Sequence, residues 1–209
     1  FDETTGLSIG ACVTVNQLID DPVVQKRYPI LHTAGSELAT FQLRNRATVV
    51  GNVVTASPCG DMSSPLLCLG ATVTLQSKAG TREMPLREFI TGVKKTQIAP
   101  EEIVTKITVP TDQIDAAGGY HKLKRIKGHD LGVVAVAMTR RNGTTRVAIS
   151  SAAPTPVLLH DFASNTPVAE IQETAQKSIS PIDDVRCTKE YRSFMVDVFI
   201  RRLAEELPA

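Results

Sequence analysis

The stretch RNRATVVGNVVTASPCGD, which runs from residue 44 to residue 61, is the most informative segment of the chain. It is dense in Gly, Asn, Ser, Thr and Pro, a composition typical of turns and loops. Gly51 allows a backbone to approach a ligand closely, Asn52 offers an amide group and Thr48 offers a hydroxyl. Asp61 adds a carboxylate that can accept hydrogen bonds from sugar hydroxyls. The segment therefore predicts either a loop that holds a nucleotide-like cofactor through neutral polar groups, or an ordinary tight turn.

The residues before this stretch predict one strand and two short helices. Residues 7–13 alternate between apolar and small or polar side chains, as a strand does. Residues 16–20 and 28–39 have the mixed composition of short surface helices. The chain opens at Phe1 with no initiator methionine and no charged-then-apolar leader, so we expect it to begin inside a domain.

The residues after the stretch predict a mixed region of helices and strands. The expected elements are an apolar helix over 65–69, a hairpin over 71–76 and 81–86, a helical turn over 85–90 and a strand over 103–109. The polar, glycine-containing segment 111–119 shows no period, and we expect a flexible boundary there.

Beyond that boundary the pattern changes to that of a small antiparallel sheet. Alternation predicts strands over 120–127, 131–140 and 144–152. Asn142 and Gly143 form the dipeptide that favours a tight hairpin turn, and they lie between the last two of these strands.

Two helices are expected to follow this sheet. Thr166 and Pro167 predict the start of the first, with threonine as the cap and proline at the first helical position. The second is expected from Thr188. It would have six apolar residues on one buried face, namely Tyr191, Phe194, Met195, Val198, Phe199 and Leu203.

Composition excludes several classes of protein. The chain has 209 residues, and 23 basic against 22 acidic side chains give a formal charge of +1, so no strong field favours nucleic acid or an anionic membrane as a partner. No apolar run approaches the roughly 20 residues that span a bilayer. Cys12, Cys59, Cys68 and Cys187 have no metal-ligand spacing, and we interpret them as thiols in a reducing compartment. We therefore expect a cytoplasmic protein without a metal site of its own.

Several motifs follow one another in a fixed order. They are QLRN at 42–45, TVVGN at 48–52, ASPCGD at 56–61, PEEI at 100–103, YHK at 120–122, and DVR at 184–186. Together they resemble the FAD-carrying subunit or domain of the molybdenum hydroxylases, the xanthine and carbon-monoxide dehydrogenase family. The resemblance extends over essentially the whole chain.

The resemblance implies an α+β fold with two domains. Residues 1–112 would be the second subdomain of a vanillyl-oxidase-type FAD-binding domain. Residues 118–209 would form a small C-terminal domain with an antiparallel sheet and helices, similar to that of the carbon-monoxide dehydrogenase flavoprotein.

The resemblance also implies polar contacts to the cofactor. Thr48, Gly51 and Asn52 match positions that line the ribityl and diphosphate part of FAD. Asp61 matches an acceptor of hydrogen bonds from ribityl or ribose hydroxyls. These roles agree with the chemistry of the same residue types.

Further positions carry over from the resemblance in the same way. Val54 and Val104 would pack against the cofactor. Lys122 matches a lysine that reaches the flavin, where a cation stabilises negative charge on the reduced ring; a solvated surface charge is the alternative. Arg44 and Arg125 are interpreted equally well as phosphate or partner contacts and as caps of backbone carbonyls.

By this resemblance the chain is an FAD-dependent oxidoreductase subunit that is not active alone. Its role would be to pass electrons from iron-sulfur clusters through FAD to an acceptor such as NAD or a quinone. The expected partners are an iron-sulfur subunit and a molybdopterin subunit. No catalytic acid, base or nucleophile is expected from this chain.

Two departures from the family pattern favour an alternative. Val50 stands where the family usually has glycine, which predicts added bulk beside the ligand. The family's first subdomain, with its own glycine-rich loop, is not found before Phe1. We therefore expect the chain by itself to hold FAD weakly or not at all, and a flavin-free structural or assembly subunit of the same complex is the alternative function.

Two other enzyme classes are less favoured. A stand-alone oxidase of the vanillyl-alcohol type would need its own substrate pocket, and the chain has only three tyrosines and no tryptophan with which to build one. A hydrolase would depend on a histidine in a triad or metal spacing, which the sequence does not provide. The histidines are His32, His121, His129 and His160.

Overall fold

The computed structural model describes residues 1–126, 128 and 130–208, and these residues form helices packed on antiparallel sheets. The predicted α+β class is confirmed. The helices are α1 Val15–Asp20, α2 Pro22–Arg27, α3 Pro29–Glu37, α4 Phe41–Arg44, α5 Val49–Val54, α6 Ser63–Cys68, α7 Leu86–Phe89, α8 Val168–Ser178 and α9 Lys189–Glu206. The strands are β1 Leu7–Gly10, β2 Thr72–Ser77, β3 Gly80–Pro85, β4 Ile90–Gly92, β5 Lys95–Thr96, β6 Ile103–Val109, β7 Ala117–Leu123, β8 Val134–Arg141, β9 Thr144–Ser150, β10 Val157–Leu158 and β11 Phe162–Ala163. Within the described ranges, no helix combines the length and the apolar character that a membrane crossing requires.

The first sheet has the strand order β1-β6-β2-β3, and all its pairs are antiparallel. The predicted hairpin of β2 and β3 is confirmed, as is the strand over 103–109. Val73, Leu75 and Ile107 are fully buried in the core of the N-terminal region, and α5 packs against β1 and β6 of this sheet. This sheet therefore supports the core of the N-terminal region.

The second sheet has the order β10-β9-β8-β7, with β11 also pairing with β9. Strand β8 begins Val-Ala-Val-Ala-Met, so its large and small side chains point to opposite faces. Val134, Val136 and Met138 pack with α8 and α9, whereas Ala135 and Ala137 pack with the core of the N-terminal region. Because the alanines are short, the N-terminal region lies close against this face, and the sheet separates the two cores.

The segment 111–119 is not the flexible stretch that we expected. It contains a 3-10 turn at Thr111–Gln113, and β7 begins at Ala117. A Cβ atom at Gly118 would lie 2.9 Å from Ile30 Cβ, and one at Gly119 would lie 2.6 Å from Leu203 Cδ2. The two glycines therefore allow α3 and α9 to pack closely on β7. This close packing explains why the strand contains glycines that are otherwise typical of loops.

The stretch 44–61 also differs from the sequence prediction, because it contains helix α5. Val49, Val50 and Val53 recur at helical spacing, and each is at most 3% exposed. Ala56, with a φ of 47°, ends the helical segment. Valine has a modest helix propensity, but burial of three valines in the core outweighs it. Composition alone therefore predicted turns where tertiary packing stabilises a helix.

The turn and cap signals of the C-terminal region are largely confirmed. Asn142 and Gly143 have φ values of 49° and 74°, as the predicted hairpin turn requires. Thr188 caps α9, and its hydroxyl accepts a hydrogen bond from Tyr191 N at 3.3 Å. Helix α8 begins at Val168, one residue later than predicted. Pro167 is its N-cap residue, and no side-chain hydrogen bond caps this end of the helix.

One further helix and one strand boundary differ from the prediction. Helix α2 was not expected; Pro22 at its first position and the capping side chain of Asp21 are local signals that favour it. The strand expected over 120–127 ends at Leu123. Lys127, at the predicted end of that strand, and His129 lie outside the described residues.

The predicted apolar face of α9 is only partly correct. Met195, Phe199 and Leu203 are buried, but Tyr191 is 47% exposed and Phe194 is 59% exposed. The buried stripe consists of Arg192, Met195, Val196, Phe199, Ile200 and Leu203. At about 100° per residue, position 194 lies on the opposite side of the helix from this stripe. The prediction had given more weight to residue type than to angular position.

Candidate functional site

Helix α5 forms one side of the candidate site, and its first turn is fixed by two interactions. Thr48 Oγ1 accepts a hydrogen bond from Gly51 N at 3.0 Å, so the threonine caps the helix. Val49 N donates to Val13 O at 3.0 Å, which ties the helix to the segment after β1. A Cβ atom at Gly51 would lie 2.6 Å from Thr48 Oγ1, so a larger residue here would displace the capping hydroxyl from its present position. Gly51 itself is exposed to solvent.

An open apolar groove of about 520 Å³ lies between β6 and the end of β1, against which α5 packs. Ile103 and Val104 line it from β6, and Cys12 and Val13 line it from the segment after β1. Ile103 is 66% exposed, whereas Val104 is 8% exposed and belongs to the core. Val54 packs against the same core. Val104 therefore lines the groove, and Val54 lies on α5, which packs against β1 and β6.

Asn52 connects α5 to the segment that carries the predicted carboxylate. Its Oδ1 accepts a hydrogen bond from Met62 N at 3.1 Å. A Cβ atom at Gly60 would lie 3.3 Å from that same oxygen, so the two segments are in close contact. The amide nitrogen of Asn52 has no hydrogen-bond partner within the described part of the chain. Asn52 thus fixes the position of Asp61 while one of its polar groups stays available.

Asp61 lies inside the protein and is held by two side chains from β7. Tyr120 donates its hydroxyl to Asp61 Oδ1 at 2.9 Å, and Lys122 Nζ donates to Asp61 Oδ2 at 2.9 Å. Lys122 also donates to the backbone oxygen of Glu37 at 3.2 Å. The side chain of Lys122 is 1% exposed and that of Asp61 is 10% exposed. The ion pair therefore joins the two regions of the molecule away from water.

Burial controls the electrostatics of this cluster. Desolvation raises the pKa of Asp61 above its ordinary value of 3.8, although the charge of Lys122 and the hydrogen bonds from Lys122 and Tyr120 act in the opposite direction. Burial, followed by the charge of Asp61, also raises the pKa of Tyr120 well above 10.0. The phenol therefore stays protonated at neutral pH and remains a hydrogen-bond donor.

The structure brings the predicted site residues together in two groups. Thr48, Gly51 and Asn52 belong to the first turn of α5, and Asp61 and Lys122 form a buried pair that the hydrogen bond from Met62 N to Asn52 connects to this turn. The alternative interpretation of Lys122 as a solvated surface charge is wrong, because its side chain is enclosed.

Sequence reasoning did not assign a site role to Tyr120. Tyr120 and Lys122 are two residues apart on β7, and alternation along a strand places such residues on the same face. That spacing is a signal that could have joined both of them to Asp61 once the strand was predicted.

Three other residues discussed from the sequence have structural roles. Arg44 donates from Nη1 to the backbone oxygens of Ser36 and Leu38, at 3.2 and 2.9 Å, so it caps carbonyls at the end of α3. Arg125 Nε lies 3.6 Å from Asp130 Oδ2, and the backbone N–H of Arg125 donates to the same oxygen at 2.8 Å. Val50 is 3% exposed and packs in the core, so its bulk is accommodated inside the protein and the expectation of bulk beside a ligand is wrong.

A family model described as the FAD binding domain in molybdopterin dehydrogenase matches residues 2–112 of the chain. The chain is also 29% identical to the putative xanthine dehydrogenase FAD-binding subunit of Escherichia coli over 221 residues, which cover 99% of this chain and 76% of that protein. It is 29% identical to the carbon monoxide dehydrogenase medium chain of Afipia carboxidovorans over 220 residues, which cover 100% of this chain and 76% of that protein.

The fold is similar to that of a chain in a solved carbon monoxide dehydrogenase from Hydrogenophaga pseudoflava. The TM-score is 0.89 at 27% sequence identity, and the alignment covers 98% of this chain and 76% of that chain. The sequence and structural similarities therefore agree, and both extend beyond the family match into the C-terminal sheet and helices.

Proposed function

The chain belongs to the family of the FAD binding domain in molybdopterin dehydrogenase, and from this premise we propose that it is the flavoprotein component of a molybdenum hydroxylase. In this proposal it passes electrons from iron-sulfur clusters through FAD to an acceptor such as NAD or a quinone. The observation that carries the proposal is the arrangement of α5, which lies beside an open apolar groove and is joined through Asn52 to the buried pair of Asp61 and Lys122.

The residues present suit the binding of part of FAD in size and in chemistry. The groove of about 520 Å³ lies within the range of about 300–1,000 Å³ that is common for ligand sites. Its apolar lining suits a ring system, and the exposed backbone of Gly51 permits close approach. The amide nitrogen of Asn52 supplies a donor for phosphate or hydroxyl oxygens.

The polar residues would then hold the chain-like part of the cofactor. We assign Thr48, Gly51 and Asn52 to the ribityl and diphosphate part, and Asp61 to ribityl or ribose hydroxyls. Both oxygens of Asp61 already accept hydrogen bonds, but a carboxylate has four acceptor sites and can accept more. Val104, which lines the groove, and Val54, on the neighbouring helix α5, would pack against the cofactor.

Lys122 would act through a positive charge that is fixed in position. The Asp61 carboxylate and the Glu37 carbonyl restrain its ammonium group, and burial weakens the screening by water. When bound, FAD supplies one-electron and two-electron redox chemistry, and nearby protein charges tune its potential. Lys122 is therefore the residue to which we assign tuning of the potential.

The same proposal includes the partners and the context of the chain. The relatives are named as a medium chain and as an FAD-binding subunit, which are components of larger enzymes. We therefore propose an iron-sulfur subunit and a molybdopterin subunit as partners, a chain that is not active alone, and a cytoplasmic location. We also retain the division into an FAD-binding domain over 1–112 and a C-terminal domain over 118–209 as part of the proposal.

The test is the flavin content of the native assembly, measured by visible absorption after purification with its partner subunits. We expect about one flavin per copy of this chain. An assembly that has its metal centres but no flavin would support the structural-subunit alternative and contradict the proposal.

A matched pair of variants tests the location of the site. Ile103→Asp adds a charge at the exposed edge of the groove, whereas Val185→Asp adds the same charge at a position that is 96% exposed and does not line the groove. We expect Ile103→Asp to weaken FAD binding by about tenfold or more, because it places a carboxylate on the apolar surface that suits a ring system. Flavin fluorescence measures this. Equal affinities in the two variants would place the cofactor elsewhere.

A further inference from the structure

A second cleft, of about 380 Å³, lies where residues 58–59 meet the segment 180–186. Val93, Pro154 and Ile182 provide apolar walls, and Cys59, Arg186 and Arg192 are also in contact with it. Val93 and Ile182 are 52% and 66% exposed, so the apolar walls reach the surface. The cleft therefore combines apolar walls with two arginines.

Arg192 is buried to 1% exposure, and its hydrogen bonds are incomplete. Its Nη1 donates to the backbone oxygens of Val133 and Ser151. Its Nε has no hydrogen-bond partner among the residues that the structure describes. Its Nη2 lies 2.7 Å from Asp184 Oδ1 but outside hydrogen-bonding geometry. A buried guanidinium with uncommitted N–H groups is costly unless an acceptor satisfies it.

Arg186 brings a second positive charge to the same place. Its Nε and Nη2 donate to Asp184 Oδ2 at 3.1 and 2.6 Å, and its Nη1 donates to Cys59 Sγ at 3.4 Å. The hydrogen bond from Arg186 lowers the pKa of Asp184 well below its ordinary value, so this carboxylate is ionised at neutral pH. Two guanidinium groups thus share one carboxylate, and among the described residues no second carboxylate pairs with either of them, so one positive charge is left without a counter-charge at an apolar cleft.

We propose that this cleft binds a small organic anion, with its acid group against Arg186 and Arg192 and its apolar body against Val93, Pro154 and Ile182. Guanidinium groups match carboxylates in geometry and charge. A volume of about 380 Å³ accommodates a single ring with one acid group. The cleft shares no lining residue with the groove beside α5.

The test uses the full 209-residue chain and benzoate as the probe, with benzamide as a neutral probe of nearly the same shape. Isothermal titration calorimetry measures both. We expect benzoate to bind and benzamide to bind at least about tenfold more weakly, because only benzoate compensates the charge. No binding of benzoate, or equal binding of the two probes, overturns the proposal.

Two exposed positions in one segment provide a matched control. Ile182→Asp adds a carboxylate to the wall of the cleft, and Val185→Asp adds one three residues further on, outside the cleft. Both side chains are largely exposed, so both variants are expected to fold. We expect Ile182→Asp to weaken benzoate binding by about tenfold and Val185→Asp by less than about twofold. Equal effects would contradict the assigned position.

Cys59 provides a local readout that does not require a substitution. Iodoacetamide alkylates a thiolate by forming a bond from sulfur to its CH2 group while iodide leaves. We expect benzoate to slow alkylation of Cys59, which contacts the cleft, and to leave the rate at the exposed Cys12 unchanged, as measured by peptide mass spectrometry. Equal rates at Cys59 with and without benzoate would mean that benzoate binds elsewhere.

Discussion

The carboxylate of Asp61 meets one lysine inside the protein, whereas the carboxylate of Asp184 meets two arginines closer to the surface. The side chain of Asp61 is 10% exposed and that of Asp184 is 21% exposed. Burial raises the pKa of Asp61 despite its cationic partner, and the hydrogen bond from Arg186 lowers the pKa of Asp184. The presence of an ion pair therefore does not by itself decide whether the pKa of a carboxyl group is raised or lowered.

The two carboxylates differ in the hydrogen-bond donors that replace the water lost on burial. Asp61 has one ammonium and one phenol as donors, and these do not fully compensate its desolvation. Asp184 accepts two hydrogen bonds from one guanidinium and two from backbone N–H groups. One cationic side chain pairs with Asp61, and two pair with Asp184. The first arrangement restrains the ammonium group of Lys122, and the second leaves one arginine charge that the proposed anion would balance.

The largest effect is expected when the cation of the buried pair is removed. Lys122→Met leaves Asp61 enclosed without a counter-charge, and we expect the free energy of unfolding to fall by about 3–5 kcal/mol. Lys124→Met is the control, because its partner Glu37 is 41% exposed, and we expect it to cost less than about 1 kcal/mol. Urea unfolding at neutral pH measures both. Similar costs would mean that the burial of Asp61 does not matter.

A smaller effect is expected when one of the two arginines around Asp184 is changed. Arg186→Gln leaves Asp184 with Arg192 and its backbone donors, so we expect a loss of about 1 kcal/mol in the free energy of unfolding. Arg87→Gln, at a site whose side chain is 67% exposed, should change it by less than about 0.5 kcal/mol. If Arg186→Gln proved as costly as Lys122→Met, the contrast between the two clusters would be lost.

The smallest effect is the pH response of the two carboxyl groups, which should have opposite signs. The folded pKa of Asp184 is depressed, so its contribution to stability is present above the ordinary value of 3.8 and is lost as the pH falls. The folded pKa of Asp61 is raised, so its contribution is present below 3.8 and is lost as the pH rises through the folded pKa.

Carbon-13 NMR titration of the side-chain carboxyls, assigned through bonds to the backbone, checks this directly. We expect the midpoint of Asp61 to lie above 3.8 and that of Asp184 to lie below it. Midpoints in the reverse order would show that pairing, and not burial, dominates at Asp61.

Much of the fold follows from local rules that the sequence displays. Alternation predicted the strand over 103–109 and the hairpin of β2 and β3, the Asn142-Gly143 dipeptide predicted a tight turn, and Thr188 predicted the start of α9. Each signal acts within a few residues, so its physical cause is complete in the sequence. The family was likewise indicated by the order in which its motifs follow one another along the chain.

The errors arose where local composition and tertiary packing favour different outcomes. Gly118 and Gly119 suggested a flexible link, yet they allow α3 and α9 to pack on β7. The valines of α5 lie in a segment rich in turn residues, and burial made them helical. Phe194 was expected in the core because of its residue type, and its angular position on α9 leaves it exposed.

The sequence by itself determined the family, the α+β class and the residue types available for a flavin site. Only the tertiary structure decided that Lys122 pairs with Asp61, which lies sixty-one positions away in the sequence. It likewise decided that Arg186 contacts Cys59, which lies 127 positions away. Such contacts depend on which segments of the chain pack against each face of the second sheet. Their energies depend on how much water the packing removes, a quantity that no short segment of sequence contains.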